Sequence, residues 1–138
     1  MDTPTLKELP CFAVYSATKR VMALYRPLLN ELDITYPQFV VLMALWESDT
    51  RSMSELSTHT TLGNSTLSPL VRLLEHKGLV AQTMPASDER LKLVSLTLRG
   101  KRLARKARRI TDTAFTASGL SARDAKTLIR ICGSLPAA

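Results

Sequence analysis

Apolar residues in the first part of the chain recur at spacings that suit one face of a helix. This stripe, with steps of three, seven, three and four positions, consists of Phe12, Tyr15, Met22, Tyr25 and Leu29. Because an α-helix repeats about every 3.6 residues, such positions line up along one side. We therefore predict a long helix over residues 6–31.

Two shorter helices are predicted next, each from a start signal followed by an apolar run. Thr35 and Pro37 mark the start of a helix over residues 36–46, because a hydroxyl can cap the first turn and proline suits the first positions. Ser52 opens a third, short helix, and Glu55 three residues later completes a capping-box pattern.

The segment 64–77 combines an apolar stripe with a polar face. The stripe consists of Leu67, Leu70, Val71 and Leu74. The other face carries short hydrogen-bonding groups and one cation, namely Asn64, Ser65, Thr66, Ser68 and Arg72. A short helix, a turn and a helix with a polar first half are typical of a helix-turn-helix, whose second helix reads base edges in the major groove. An ordinary helical hairpin with a serine-rich cap explains this segment equally well.

Two runs of alternating character then predict a β-hairpin, with strands over residues 80–84 and 91–96 and a turn over 85–90. A hairpin directly behind a helix-turn-helix is a wing, and Arg90 at its tip, beside Asp88, can enter a minor groove. Thr97 caps a long helix from residue 98, and Ser121 with Asp124 caps a last helix that ends near residue 134. The expected fold is mainly α with a small β wing, a winged helix-turn-helix.

The net charge of +7 is concentrated in the second part of the chain. Residues 1–50 carry four basic and six acidic side chains, whereas residues 51–138 carry fifteen basic and six acidic ones. This distribution indicates that the second part binds a polyanion. Its densest basic run is Arg99, Lys101, Arg102, Arg105, Lys106, Arg108 and Arg109. A solvated helix face explains that run as well as contact with DNA does.

Length and composition exclude several other classes. We expect one domain from 138 residues, and the apolar runs are too short to span a bilayer. The first ten residues contain no apolar signal core, so we expect a reducing, cytoplasmic setting without a membrane partner. His59 and His76 are isolated histidines that we expect on the surface, and we expect neither a metal nor a cofactor.

Cys11 is notable for its distance from the three tyrosines of the chain. Tyr15, Tyr25 and Tyr36 follow it by 4, 14 and 25 positions. On one helix, Cys11 and Tyr25 would face the same side but lie about 21 Å apart, so they could meet only across a two-fold axis of a dimer. From spacing alone, an ordinary core with Cys11 as a small buried hydrophobic residue is the simpler interpretation.

The wing segment resembles the signature of the MarR (multiple-antibiotic-resistance regulator) family, which reads D-x-R, a strand, then L-T-x-x-G. Asp88 and Arg90 match its first part, and Leu96, Thr97 and Gly100 match its last part. Within that family the chain is similar to the organic hydroperoxide resistance regulators (OhrR). The segments that carry this similarity are residues 11–17, 32–38 and 86–90, and it extends over about residues 9–134.

The resemblance implies a homodimeric winged-helix repressor of operator DNA. Residues 6–31 and 98–134 would form the dimer region, and residues 36–97 the winged helix-turn-helix. Cys11 would be the peroxide-reactive thiolate, with Tyr25 and Tyr36 of the partner subunit donating to its sulfur and Tyr15 nearby in the same subunit.

An organic hydroperoxide would then oxidise Cys11 to a sulfenic acid. The added oxygen would no longer fit among the phenols, and the dimer interface would repack. The distance between the two recognition helices would change, and the operator would be released. We expect Arg72 and Lys77 to contact phosphates or bases.

Two positions depart from the family pattern. Thr116 stands where two-cysteine members have a second thiol, and we expect Cys132 to be a buried packing residue. This indicates one-cysteine chemistry, in which oxidised Cys11 forms a mixed disulfide with a small thiol or is overoxidised. Gly63 stands where an aspartate commonly caps the recognition helix, so we expect Asn64 to cap it instead.

Two other functions stay open at this point. A repressor of the same family could respond to a phenolic or aromatic ligand in the dimer cleft, with Cys11 incidental. The chain could also be a thiol peroxidase, although it lacks a second catalytic partner for Cys11 and its DNA-reading half would then be unexplained.

Overall fold

The structure, a computed structural model, describes residues 2–88 and 90–137. Over these residues the chain forms a 3₁₀ turn at Leu6–Glu8, six α-helices and three short strands. The helices are α1 (Pro10–Asn30), α2 (Tyr36–Glu47), α3 (Met53–Thr60), α4 (Asn64–His76), α5 (Leu98–Ser118) and α6 (Ala122–Gly133). The strands are β1 (Arg51–Ser52), β2 (Val80–Thr83) and β3 (Leu93–Leu96). The predicted class, mainly helical with a small wing, is confirmed.

The first helix begins later than predicted. Leu9 adopts an extended conformation (φ −95°, ψ 115°) and Pro10 is the first helical residue. The residue before a proline is forced out of the helical region, so the segment from Leu6 cannot run continuously into α1. The second helix begins as predicted, because the Thr35 hydroxyl accepts from the Gln38 N–H and the Gln38 side chain accepts from the Thr35 N–H.

Helices α3 and α4 form the predicted helix-turn-helix. The Ser52 hydroxyl accepts from the Glu55 N–H at 3.1 Å and caps α3. At the start of α4, however, Gly63 is the cap, and its carbonyl accepts from the N–H of Thr66 and of Leu67. The prediction that Asn64 caps this helix is therefore wrong. The extended backbone of Gly63 fills that position and makes Asn64 the first helical residue.

The wing is smaller than its sequence pattern suggested, and it has a third strand. β2 and β3 pair antiparallel from Val80–Leu96 to Thr83–Leu93. Leu91 was predicted in a strand, but its N–H donates to the Asp88 carbonyl and so belongs to the turn. The unpredicted strand β1 pairs with the other edge of β3 and places β3 in the centre of the sheet.

The core lies between α2, the helix-turn-helix and the sheet. Its fully buried members are Leu29, Val41, Leu42, Leu45, Leu56, Leu67, Val71, Leu74, Val80 and Val94. Of the four residues of the predicted α4 stripe, Leu70 is half-buried and the others are buried. Burial varies more along the predicted α1 stripe, in which Leu29 is buried whereas Tyr15 is 60% exposed. Within the described chain, no helix is long and apolar enough to cross a bilayer.

The L-T-x-x-G segment joins α5 to the core. The Thr97 hydroxyl donates to the Gly78 carbonyl at 2.6 Å and accepts from the Gly100 N–H at 3.1 Å. The Trp46 indole N–H donates to the Gly100 carbonyl at 2.9 Å. Gly100 itself is buried against the carbonyl of Leu79, where a β-carbon would overlap the backbone. Glycine is therefore required here for close approach, which gives the family motif its physical reason.

We predict that Gly100→Ala destabilises the protein by roughly 1–3 kcal/mol, the usual cost of overpacking, because α5 must move away from Leu79. Gly133→Ala is the matched control, since a β-carbon there meets nothing within 4 Å and alanine favours a helix. Urea unfolding followed by circular dichroism measures both variants. Equal free energies of unfolding for the two variants would contradict the close contact at Gly100.

Candidate functional site

The exposed face of α4 and the tip of the wing border one shallow groove. Asn64 and Ser68 line it from α4, and Arg90 and Lys92 line it from the wing, around a volume of about 390 Å³. Ser65, Thr66 and Arg72 are exposed on α4 beside it. The structure thus brings the predicted α4 face and Arg90 together on one polar and basic surface, the reading surface.

Asp88 acts on the shape of the wing tip. Its carboxylate accepts from the backbone N–H of Arg90 at 3.0 Å, and its own N–H donates to the Pro85 carbonyl at 3.1 Å. Such a turn fixes the backbone by a local side-chain bond. Asp88 therefore positions Arg90, whose side chain is exposed.

Lys77 lies away from the reading surface. Its ammonium donates to the Asp33 carbonyl and to the Gln38 side chain, and it lies 4.0 Å from the Asp33 carboxylate. It follows α4 at the end opposite Asn64, which a helical rise over thirteen residues places about 20 Å away. In this structure Lys77 joins α4 to the segment before α2.

Sequence reasoning missed three residues of this region. Ser54 and Lys92 line the groove, and Leu73, an apolar residue, is 50% exposed on the outer side of α4. Lys92 was assigned to a strand, although its charge next to Arg90 at a turn was a usable signal. Leu73 carried no signal, because leucines are ordinarily assigned to the buried stripe of a helix.

Cys11 is exposed in the first turn of α1. Tyr15, one turn further, is also exposed, and the Lys19 ammonium lies 4.6 Å from the centre of its ring. Cys11 and Tyr25 both belong to α1, so fourteen residues of helix separate them by about 21 Å. Within one chain, therefore, Cys11 lies one helical turn from Tyr15 and is remote from Tyr25.

Tyr25 and Tyr36 form a pair at the far end of α1. Their ring centres are 5.1 Å apart in an edge-on arrangement, and Phe39 packs against both. Burial raises the pKa of Tyr25, and the neighbouring Tyr36 raises it further. Tyr25 therefore keeps its proton at neutral pH and can donate a hydrogen bond. Because Tyr36 contacts Tyr25, it too is remote from Cys11 of its own chain.

Cys132, the second cysteine, does not pack in the core of the chain. Cys132 is exposed near the end of α6, so the prediction of a buried packing cysteine is wrong. The physical reason is that α6, all of whose residues are described, has no buried residue in the single chain. Thr116, where the resemblance implies a second thiol in two-cysteine members, is exposed on α5.

The histidines lie on the surface, as predicted. His59 bonds to the Glu47 carboxylate at 2.7 Å and thereby links α3 to the end of α2, and His76 is exposed at the end of α4. Among the described residues, no group of three or more His, Cys, Asp or Glu side chains could hold a metal ion.

A small cavity of about 250 Å³ lies beside the tyrosine pair. Tyr25, Tyr36 and Met43 line it on one side, and His59 of α3 and Thr111 of α5 on the other. The cavity therefore lies where α3 of the helix-turn-helix faces α1, α2 and α5.

The Tyr25 environment predicts a late step in the titration of the phenols. Absorbance near 295 nm should show one tyrosine ionising above the usual pKa of 10.0. Tyr25→Phe should remove this step, and Tyr36→Phe should move it to lower pH. Because the folded-state pKa of Tyr25 is raised, its contribution to stability is present below pH 10 and is lost as the pH rises through the folded value. A late step that persists in Tyr25→Phe would contradict this assignment.

Comparison with known proteins agrees with this geometry. Residues 23–107 match the family model described as transcriptional regulator SarA/Rot. The organic hydroperoxide resistance transcriptional regulator of Bacillus subtilis (strain 168) is 35% identical over 127 residues, which cover 92% of this chain and 86% of the relative.

Two solved structures of AbfR, a protein of Staphylococcus epidermidis, are also similar. Reduced AbfR bound to DNA has a TM-score of 0.75 and 26% identity, covering 89% of this chain and 85% of that one. AbfR with its disulfide formed has a TM-score of 0.69 and 25% identity, covering 89% and 86%.

These relatives confirm the resemblance carried by the wing motif and by the segments around Cys11 and Tyr36. They are regulators, so the thiol peroxidase alternative is set aside. The chain belongs to the MarR family of winged helix-turn-helix transcriptional regulators, within its organic hydroperoxide resistance branch, and it is a DNA-binding regulator rather than an enzyme.

Proposed function

We propose that the protein is a homodimeric repressor that senses organic hydroperoxides through oxidation of Cys11 and then releases its operator. The observation that carries this proposal is the separation of an exposed thiol from a pair of half-buried phenols at the two ends of α1. One chain holds both halves of a sensing site but cannot assemble it. The 35% identity to a hydroperoxide resistance regulator supports the same conclusion.

A second copy of the chain is the partner that this separation requires. Large apolar side chains are exposed along α1, the end of α5 and α6, including Val14, Val21, Phe115, Leu120, Leu128, Ile129 and Ile131. An apolar groove of about 490 Å³ runs between α1 and α6, from Leu6 to Leu128. Exposed apolar area of this kind marks an interaction surface. Pairing these helices with those of a second copy would bury it and bring Cys11 towards the partner's phenols.

The chemistry at Cys11 is a single oxygen transfer. The thiolate sulfur attacks one oxygen of the peroxide O–O bond, an S–O bond forms, and the alkoxide leaves and takes a proton to become an alcohol. The hydroxyl groups of Tyr25 and Tyr36 of the partner subunit would donate hydrogen bonds to the thiolate and stabilise it before the reaction. The sulfenic acid carries an extra oxygen between them and so breaks this arrangement.

The fate of the sulfenic acid follows from the positions of the other groups. Thr116 offers no thiol, so a small thiol from solution would form the mixed disulfide with Cys11, with loss of water. Cys132 is a free cysteine that is exposed in the single chain. The Cys132→Ser variant tests whether Cys132, rather than a small thiol, forms the disulfide with Cys11.

The reading surface would bind the operator. Asn64, Ser65, Thr66 and Ser68 would contact base edges, and Arg72 phosphate, with α4 in the major groove. Arg90, held by Asp88, would enter the adjacent minor groove. In a dimer, repacking around Cys11 would change the distance between the two copies of α4, which must match about one turn of the duplex.

A second candidate is release by a phenolic or aromatic ligand. The cavity beside Tyr25, Tyr36 and His59 favours it, because it is lined by aromatic and polar groups and touches the helix-turn-helix. Its volume of about 250 Å³ is below the range of roughly 300–1,000 Å³ typical of ligand pockets. We therefore prefer the thiol mechanism.

Cys11→Ser separates the two candidates. We expect the variant to bind the operator as tightly as the unaltered protein, and to stay bound when cumene hydroperoxide is added, because no thiolate remains to react. Gel-shift titrations with cumene hydroperoxide and with hydrogen peroxide, followed by mass analysis of Cys11, measure both effects.

Cys132→Ser is the matched control and should still release the operator. If the Cys132→Ser variant releases the operator but its Cys11 no longer forms any disulfide, the second sulfur of the disulfide is Cys132 rather than a small thiol. Release of Cys11→Ser by peroxide would contradict the sensing role of Cys11, and release of that variant only by a phenolic ligand would favour the second candidate.

A further inference from the structure

The first half of α5 presents an unusually dense basic face. Seven of the twelve residues over 98–109 are basic and all seven are exposed. Four of them are spaced three and four positions apart, so that they form a compact cluster on one side of the helix: Arg102, Arg105, Lys106 and Arg109. We call these four residues the α5 basic cluster.

The neighbouring cations are paired within the chain, whereas the cluster is not. Lys101 lies 3.7 Å from the Asp49 carboxylate, Arg108 lies 3.4 Å from Asp112, and Arg99 donates to the Lys77 carbonyl. The ion pairs among residues 2–88 and 90–137 include none with a member of the cluster. Like charges at these spacings repel one another and destabilise a helix, and a bound polyanion would remove that repulsion.

The charge balance of the winged helix-turn-helix makes this cluster relevant to DNA binding. Residues 51–97 carry five basic and four acidic side chains, and Lys77 among them is engaged inside the chain. Residues 98–118 carry seven basic side chains and one acidic one. Neutralised phosphates supply essentially all of the non-specific affinity of proteins for duplex DNA and a large share of the specific affinity. The region that reads bases therefore has little of the charge that such affinity requires.

The cluster is also separate from the apolar surface assigned to the dimer. The start of α5 is held against the end of α4 by the Thr97–Gly78 bond. Large apolar exposure on α5 reappears only at Phe115, near the groove that Ser118 and Leu120 line. Two like-charged faces would repel each other across a dimer axis, so the basic half of α5 is poorly suited to contact its own copy.

We propose that the α5 basic cluster is a second, sequence-independent site for the phosphate backbone of duplex DNA, outside the groove read by α4. It rests on the DNA-binding activity and does not depend on peroxide sensing. The cluster would supply the electrostatic part of the affinity, while the reading surface supplies the choice of sequence.

The test is the salt dependence of binding to a fluorescein-labelled duplex of random sequence, followed by fluorescence anisotropy. For Arg105→Ala/Arg109→Ala, the slope of log K against log[NaCl] should be smaller than for the unaltered protein by about 1.8 per subunit, or about 3.6 for a bound dimer, because each lost phosphate contact removes about 0.9. Between 50 and 200 mM NaCl, the affinity of the variant dimer should therefore fall by a factor roughly a hundredfold smaller than that of the unaltered dimer.

Arg123→Ala/Arg130→Ala on α6 is the matched control, with the same change of charge at exposed positions. It should leave the slope nearly unchanged. Arg105→Lys/Arg109→Lys should keep the slope of the unaltered protein, because a phosphate contact needs only the charge. An equal decrease of slope in the α5 and α6 variants would overturn the proposal and indicate a general charge effect. Dissociation of the dimer in the α5 variant, seen by sedimentation, would also overturn it and assign the cluster to the subunit interface.

Discussion

The length of one rigid helix is the constraint on which the proposed mechanism depends. Helix α1 carries Cys11 in its first turn and Tyr25 fourteen residues later, and a helical rise of about 1.5 Å per residue keeps them about 21 Å apart. The Tyr36 ring packs edge-on against the Tyr25 ring and therefore lies at the same end of α1. In the proposed mechanism, therefore, the Cys11 thiol and these two phenols would act together only between subunits, and oxidation of a single sulfur would be a change at the dimer interface. Oxidation at such a site would change the distance between the two copies of the helix-turn-helix without any contact between peroxide and DNA.

Features determined by neighbours in sequence could be predicted from the sequence. The caps at Thr35, Thr97 and Ser121 are made by bonds between residues three positions apart. The hairpin pairs strands that a short turn joins, with partners ten to sixteen positions apart. Strand β1 could not be predicted in this way, because its two residues become a strand only through pairing with β3, more than forty positions later. The start of α1 is also set locally, because Pro10 keeps the residue before it, Leu9, out of the helical conformation.

The candidate site was predictable to the same extent. The polar face of α4 and Arg90 could be named because turn and helix patterns place them on one surface. The internal role of Lys77 could not, because its partner Asp33 lies 44 positions away. The exposure of Cys132 was also hidden, because the apolar residues around it suggested a core position. In the single chain no residue of α6 is buried, and its apolar side chains are exposed.

A mixed dimer tests the central claim most directly. One chain carries Cys11→Ser with its tyrosines intact, and the other carries Tyr25→Phe/Tyr36→Phe with Cys11 intact. The measurement is the rate at which cumene hydroperoxide converts the remaining Cys11 to a sulfenic acid, trapped with dimedone and followed by mass spectrometry. If the phenols act between subunits, this thiol faces intact tyrosines and reacts at the rate of the unaltered protein, faster than in the Tyr25→Phe/Tyr36→Phe homodimer. A mixed dimer that reacts as slowly as that homodimer would contradict the account.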